Sequence, residues 1–201
     1  MLSPPMRAKS TGIFDSGQDD ELVRLRNENQ TLRQKLRELK LTANTDPLLP
    51  LYNRRAFVSE IERAQAVLDR YDISSSVIFF DLNDFKQIND RYGHATGDDV
   101  LLAVSDVLLA GVRDCDMVAR LGGDEFGILL FKTDAEVATA KATVLAMRLS
   151  ECKIKTPNGT ISVSAAWGVS QCDTESGADQ IISRADRAMY LAKGRTASRS
   201  A

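Results

Sequence analysis

The stretch 117–131 reads MVARLGGDEFGILLF, and its pattern decides how the surrounding chain must fold. Two apolar runs flank Gly122 and Gly123, a spacing that predicts two strands joined by a tight hairpin. The glycines leave no side chain above the turn, so a base or a phosphate can lie against its backbone. Asp124 and Glu125 follow at once, and adjacent carboxylates repel each other unless a cation or solvent offsets them. Taken alone, the stretch is explained at least as well by a solvated acidic turn.

Short apolar runs and helical patterns alternate through the rest of the chain. The sequence predicts strands over 76–82, 117–121, 125–131 and 161–169, and helices over 53–71, 85–92, 98–112, 135–152 and 177–193. This order indicates an α/β fold, an α+β sandwich of the ferredoxin-like kind. We expect Asn53 to cap the first of these helices. On the helix over 135–152, the side chains expected to face inward are those of Val137, Ala140, Val144, Leu145 and Leu149.

A carboxylate ends the apolar strand 76–82, which reads SVIFFDL. If this strand is central and lies beside the hairpin, Asp81 comes near Asp124. Grouped oxygen ligands suit Mg²⁺, and the carbonyl of Leu82 adds a further candidate ligand. By itself, however, an Asp at the end of a strand is also an ordinary turn former.

The segment 86–99, KQINDRYGHATGDD, carries a third group of polar residues. Lys86 and Asn89 are expected on a short helix, and Asp98 opens the next helix, where a capping role explains it equally well. His94 is the single histidine, and a loop histidine between glycines is more often structural than catalytic.

The N-terminal part divides into a tail and a heptad repeat. Residues 1–18 are rich in Ser, Pro and Gly and are expected to be disordered. Over 19–44 the spacing indicates a parallel coiled coil with Leu22, Asn29, Leu36 and Ala43 at a and Leu25, Leu32 and Leu39 at d. A buried Asn pair favours an in-register homodimer; a single amphipathic helix lying on its own domain is the alternative. Residues 45–201 then form the compact domain, entered through an extended linker that contains Pro47 and Pro50.

Composition limits the classes of function. The net charge of −2 and the pI of about 5.5 give no basic field for nucleic acid. The three cysteines share no metal-binding spacing and suit reduced thiols in the cytoplasm. No apolar run approaches the roughly 18 residues of a membrane span. We therefore expect a cytoplasmic protein.

Together these motifs resemble the GGDEF family of diguanylate cyclases. The resemblance rests on GGDEF at 122–126, FFDLNDFKQINDRYGHATGD at 79–98 and ADRAMYLAK at 185–193, and it covers about 45–195. It implies the palm-like fold of nucleotidyl cyclases. It also implies a homodimer that binds one GTP per protomer and condenses two GTP into cyclic di-GMP and two pyrophosphates.

The resemblance also implies roles for individual residues. Ligands for two Mg²⁺ or Mn²⁺ ions per half-site would be Asp81, the Leu82 carbonyl, Asp124 and Glu125. Asp124 or Glu125 would help to deprotonate the ribose 3′-hydroxyl, and Lys86 would offset charge on the phosphates. The substrate-binding residues would be Asn89 and Asp98 on guanine, with Gly122, Gly123, Lys193 and Arg195. An inhibitory site for the product would use Arg113 and Asp116, which by themselves also fit a surface ion pair.

Two departures from the family pattern concern the ends of the domain. Leu48-Leu49-Pro50-Leu51 replaces a segment that commonly contains Thr-Gly, and Lys193-Gly194-Arg195 is two residues shorter than usual. The second departure puts the basic partner of Lys193 in doubt. A non-catalytic module that senses GTP or cyclic di-GMP and signals through its coiled coil is the alternative function, and a regulatory protein on the coiled coil is a further expected partner.

Overall fold

The structure, a computed structural model, describes residues 16–157 and 159–197, with side chains described over 21–36, 42–157 and 159–193. The tail predicted over 1–18 lies outside the described residues as far as 15, and residues 16–18 belong to the first helix, so the predicted end of the tail was wrong. The chain divides into two compact units, Met1–Leu41 and Thr42–Ala201.

Helix α1 spans Ser16–Asn44, so the helix predicted over 19–44 is present. The leucines at a and d whose side chains are described are exposed: Leu22 by 50%, Leu25 by 54%, Leu32 by 58% and Leu36 by 52%. The apolar stripe of the heptad repeat is therefore available to a partner. None of the helices in the described ranges is long and apolar enough to cross a membrane.

A five-stranded sheet forms the centre of the second unit. Its strands are β1 Tyr52–Asn53, β2 Ser76–Leu82, β3 Met117–Gly122, β4 Glu125–Leu130 and β7 Ala165–Gln171, in the order β1-β3-β4-β2-β7. A separate hairpin pairs β5 Ile154–Thr156 with β6 Gly159–Ile161. The helices of this unit are α2 Arg54–Tyr71, α3 Phe85–Tyr92, α4 His94–Ala110, α5 Ala135–Glu151 and α6 Ala178–Ala197. The predicted α/β fold is confirmed, and β2 pairs antiparallel with β4 on one side and β7 on the other.

Helices cover both faces of the sheet. This burial suits β2, which is apolar at every position from Val77 to Phe80. Alternate residues of a strand point to opposite faces. Val77 and Phe79 belong to the core under α2 and α6, whereas Ile78 and Phe80 belong to the core under α4 and α5. A strand that is buried on both faces reads as a continuous apolar run, and this explains why its position was predictable.

The entry to the domain differs from the extended linker predicted before α2. Residues 46–51 close into a turn, in which the Asp46 amide donates to the Leu51 carbonyl at 2.9 Å. The Asp46 carboxylate accepts from the amides of Leu48 and Leu49 at 3.0 and 2.9 Å. Leu49 and Leu51 are 3% and 2% exposed, so burial of these leucines draws the turn onto the core. Asn53 caps α2 as predicted, since its side chain accepts from the Ala56 amide at 3.0 Å.

The inward face predicted for α5 was partly wrong. Val137, Ala140 and Val144 are exposed, and the buried residues are Ala138, Ala142, Leu145 and Leu149. The buried residues recur at helical spacing on one face, and the exposed valines lie on other sides of the helix.

Two other predicted elements have different bounds. Helix α4 begins at His94, not Asp98, so Asp98 lies inside the helix and does not cap it. The strand predicted over 161–169 is broken: β6 ends at Ile161 and β7 begins at Ala165. Val163 is buried between them, and this explains why the apolar pattern read as one strand.

Candidate active site

The side chain of Arg120 forms hydrogen bonds to the backbone at the tip of the β3–β4 hairpin. Gly123 has φ 46°, a conformation that favours glycine. The guanidinium of Arg120 donates to the Gly123 carbonyl from Nε at 2.9 Å and from Nη2 at 2.8 Å. A Cβ built on Gly123 would meet no atom within 4 Å, so the space above the turn is open. The turn can therefore receive a flat or anionic group.

Arg120 also connects the hairpin tip to the entry turn. Its Nη1 lies 3.4 Å from Asp46 Oδ1, and the two side chains are 17% and 12% exposed. Asp46 is the same carboxylate that closes the turn at 46–51. One buried ion pair thus joins the segment that follows α1 to the backbone of the acidic tip.

The register of β2 and β4 brings the predicted acids together. Asp81 lies opposite Glu125, and the Leu82 amide donates to the Asp124 carbonyl at 3.2 Å. Burial raises the pKa of Glu125, and the nearby carboxylates of Asp81, Asp124 and Asp186 raise it further. The end of β2 therefore concentrates negative charge. Asp186 of α6 was not among the predicted site residues, because an exposed acid in a helix carries no signal of its own.

A cation already contacts this group of acids. Lys193 Nζ of α6 lies 3.2 Å from Asp81 Oδ1, and the side chains are 37% and 29% exposed. Its predicted neighbour Arg195 has a side chain outside the described residues. The structure thus places Lys193 at the acidic end of β2.

The donor set at this end suits a hard divalent cation. Among the described residues, no three His, Cys, Asp or Glu side chains form a ready metal site. Mg²⁺ usually takes only one or two carboxylates and completes its shell with water and substrate phosphates. Asp81, Asp124 and the Leu82 carbonyl supply ligands of that kind. The raised pKa of Glu125 indicates negative charge that a bound cation would offset. The residues present therefore fit a divalent metal ion.

Asn89 has an unusual environment on α3. Its Oδ1 is buried and has no hydrogen-bond partner among the described residues. A Cβ on Gly97 of α4 would lie 1.9 Å from this oxygen, so the amide fits only because residue 97 has no side chain. A buried acceptor without a donor is costly unless a ligand supplies one. Asp98 follows Gly97 directly and is exposed, as is Lys86 on α3.

Arg113 and Asp116 form a closed pair ahead of β3. The Arg113 guanidinium donates to both Asp116 carboxylate oxygens, at 2.9 and 2.7 Å, and to the Phe131 carbonyl at 2.8 Å. Burial alone would raise the pKa of Asp116, but hydrogen bonds from Arg113 and from the Phe131 amide lower it overall. The Asp116 side chain is 1% exposed, whereas that of Arg113 is 56% exposed. The pair thus has a structural role and presents one cationic face to solvent.

This pair lies far from the acidic tip. The pair lies before the first residue of β3, and the tip follows its last residue. The six extended residues of β3 therefore separate the two by about 20 Å. A cavity of about 470 Å³ adjoins the pair, and its lining includes Arg55, Arg63, Asp114 and Cys115. The structure therefore separates the predicted inhibitory residues from the predicted catalytic ones.

Comparison with known proteins agrees with this geometry. The family described as diguanylate cyclase, GGDEF domain, matches residues 43–199. Diguanylate cyclase DosC of Escherichia coli is 34% identical over 180 residues, which is 87% of this chain and 39% of DosC. Diguanylate cyclase TpbB of Pseudomonas aeruginosa is 33% identical over 177 residues, 85% of this chain and 38% of TpbB. The chain thus spans about two fifths of the length of these relatives.

Solved structures with similar folds include one that contains a coiled coil as well as the domain. The coiled coil and GGDEF domain of DgcB from Caulobacter crescentus, in complex with c-di-GMP, has a TM-score of 0.78 and 26% identity; the match covers 88% of this chain and 94% of that one. Diguanylate cyclase SiaD of P. aeruginosa, in complex with its activator SiaC, has a TM-score of 0.73 and 27% identity, over 90% of this chain and 71% of that one.

The link between the entry turn and the hairpin tip can be tested by Asp46→Ala. The change removes the acceptor for two backbone amides and leaves Arg120 partly buried without its ion pair. We expect a loss of about 1–3 kcal/mol in the free energy of unfolding, measured by urea denaturation, and faster hydrogen exchange at 122–124. Asp69→Ala, at an exposed acid of α2, serves as the control and should change stability by less than about 0.5 kcal/mol. Equal effects of the two substitutions would contradict the link.

Proposed function

This chain belongs to the GGDEF family of diguanylate cyclases, and we propose that it condenses two molecules of GTP into cyclic di-GMP with release of two pyrophosphates. The observation that supports this most strongly is the pairing of β2 with β4. It brings Asp81, Asp124 and Glu125 together at the end of β2, next to an open glycine turn. A solvated turn would not need a second acid from a buried central strand.

The acids at the end of β2 are proposed to bind the metal ions and to accept the proton of the ribose 3′-hydroxyl. Asp81, the Leu82 carbonyl, Asp124 and Glu125 would bind two Mg²⁺ or Mn²⁺ ions per half-site. When bound, such ions favour ionisation of a hydroxyl and neutralise a leaving pyrophosphate. Asp124 or Glu125 accepts the proton of the ribose 3′-hydroxyl, and the raised pKa of Glu125 favours it for this role.

Residues of three helices are proposed to bind the nucleotide. Asn89 on α3 accepts a hydrogen bond from the base through its buried Oδ1, and Asp98 on α4 accepts from guanine N1–H and the 2-amino group. Adenine offers neither donor in that geometry, so this pair selects GTP over ATP. The exposed ammonium of Lys86, with Lys193 of α6 and Arg195, offsets charge on the phosphates, while Gly122 and Gly123 leave room for the nucleotide.

Each domain is proposed to form half of an active site. Each 3′-hydroxyl must attack the α-phosphate of the other GTP, so two domains must face each other. The exposed leucines at a and d of α1 support a parallel homodimer over 19–44, and Asn29 fixes its register. Linking two domains in this way raises the effective concentration of one about the other. Because SiaD is solved with an activator protein, we also propose that a regulatory protein acts on the coiled coil.

The exposed face of Arg113 is proposed to bind product. Its guanidinium is fixed by Asp116 and the Phe131 carbonyl yet remains 56% exposed, so it can contact guanine or phosphate without reordering. The complex of DgcB with c-di-GMP supports binding of this dinucleotide by a similar domain. Product bound there, about 20 Å from the acidic tip, would inhibit without occupying the substrate site.

The enzymatic proposal is tested by Asp124→Asn. The substitution keeps the size of the side chain but removes a metal-binding charge, so turnover of GTP with Mg²⁺ should fall by at least about 100-fold. Production of cyclic di-GMP by chromatography of purified, product-free protein is the measurement, and Asp106→Asn at an exposed position of α4 is the matched control. Full activity of Asp124→Asn would refute the metal role. Nucleotide binding without turnover by the unmodified protein would favour a sensing module instead.

The role of Asn89 is tested through Gly97→Ala. The added Cβ would overlap Asn89 Oδ1 and displace the amide. Loss of one buried hydrogen bond to the base should raise the KM for GTP by roughly 10–100-fold. Asp99→Ala, two residues further along α4 and exposed, should leave KM unchanged. An unaltered KM in Gly97→Ala, with the helix intact by circular dichroism, would exclude Asn89 from the base site.

Product inhibition is tested by Arg113→Ala. Since Asp116 loses its ion-pair partner, the assay should run well below the melting temperature of the variant. We expect added cyclic di-GMP to inhibit this variant at least about 10-fold less strongly, while the initial rate without product is retained. Arg148→Ala on exposed α5 controls for loss of one positive charge. Unchanged sensitivity to product would place the inhibitory site elsewhere.

The role of α1 is tested with a chain that begins at Thr42, the first residue of the second unit. Without the helix, two domains must meet by diffusion, so specific activity should rise steeply with protein concentration. In the full chain it should be nearly constant over the same range. Arg24→Ala, at a position outside the a and d stripe, is the control. Identical concentration dependence of the full and shortened chains would show that α1 is not the dimerising element.

A further inference from the structure

The helix that carries Lys193 packs closely against the sheet. Helix α6 lies so close to β7 that a Cβ on Gly168 would be 2.1 Å from the Ala185 carbonyl oxygen. Lys193 is two turns further along the same face of the helix. Its ammonium therefore reaches Asp81 from a backbone that cannot easily move away.

The surroundings of the pair are acidic. Burial raises the pKa of Glu125, and the carboxylates of Asp81, Asp124 and Asp186 lie near enough to raise it further. Among the described residues, Lys193 is the cation whose side chain bonds to one of these acids; Arg54 acts on Glu125 at longer range and is paired with Asp179 at 2.8 Å. The Lys193 ammonium thus balances part of the charge that a metal ion would balance.

A metal ion and this ammonium compete for the same carboxylate. A divalent ion bound by Asp81 would bring a second positive charge to the carboxylate that the ammonium already contacts. Lys193 Nζ is 3.2 Å from Oδ1 of that group, close enough for strong repulsion between the two cations. Resting on the proposed role of Asp81 as a metal ligand, we propose that Lys193 is a positioning residue. Its ammonium occupies the place of the metal ion at Asp81 until a phosphate group of the nucleotide binds the ammonium instead.

Coupled binding of metal and nucleotide follows from this exchange. In the free protein the ammonium must be displaced, so the metal binds weakly. Once phosphate oxygens accept from Lys193, Asp81 is released to the metal. Each ligand then strengthens the binding of the other by the same factor, as linkage requires. An ordinary structural ion pair would not produce this coupling.

The test measures Mn²⁺ binding to nucleotide-free protein by the electron paramagnetic resonance signal of free Mn²⁺. Lys193→Met should bind Mn²⁺ at least about 10-fold more tightly than the unmodified chain, because the competing charge is gone. Lys193→Arg keeps a cation and should bind weakly. Lys153→Met removes an equal charge at a lysine whose ammonium donates a hydrogen bond to the Ser162 hydroxyl. This variant should bind Mn²⁺ with the affinity of the unmodified chain.

A second measurement adds a non-hydrolysable GTP analogue. The analogue should strengthen Mn²⁺ binding by a larger factor in the unmodified chain than in Lys193→Met. Equal Mn²⁺ affinities of Lys193→Met and the unmodified chain, with both folded by circular dichroism, would overturn the inference.

Asp81→Asn separates this inference from the proposed function. If that variant loses Mn²⁺ binding while Lys193→Met gains none, Asp81 is a ligand and Lys193 does not compete. If Asp81→Asn in the Lys193→Met background abolishes the gain in affinity, the competition is located at this carboxylate. Turnover in Asp124→Asn decides the enzymatic proposal independently of both results.

Discussion

The structure depends above all on the antiparallel pairing of β2 with β4. β2 is buried on both faces, so its register cannot slip without moving apolar side chains out of two cores. That register sets Asp81 opposite Glu125 and joins the Leu82 amide to the Asp124 carbonyl. Three acids are therefore held near one another by hydrophobic packing, which supplies the free energy needed to oppose their repulsion.

How far the sequence predicted this arrangement depends on the kind of signal. The apolar run of β2 and the glycine pair at the hairpin are strong local patterns, and both elements were predicted with nearly their observed bounds. The buried face of α5 and the start of α4 were not, because several faces of α5 carry apolar residues and Asp98 resembles a cap although α4 already begins at His94. Asp186 and the link from Asp46 to Arg120 join residues far apart in sequence, and such contacts leave no pattern along the chain.

The buried pair of Asp46 and Arg120 gives the acidic tip a mechanical connection to the start of the domain. Arg120 holds the Gly123 carbonyl with two hydrogen bonds, and Asp46 holds both Arg120 and the turn that follows α1. A displacement of that turn would therefore reach the glycine tip through a single side chain. Pro50 stands in this turn, so fewer backbone conformations are open to it.

Charge balance limits how such a site can work. The chain has a net charge of −2 and concentrates carboxylates at the end of β2, so an anionic ligand there would meet like charges unless cations intervene. Divalent ions can neutralise acids and phosphates together, whereas a single lysine ammonium can neutralise only one of these groups at a time. A lysine on a rigid helix beside the acids therefore suits a site that alternates between two states. In the proposed exchange, the protein balances its own acids in one state, and in the other a phosphate ligand and its cations replace the lysine.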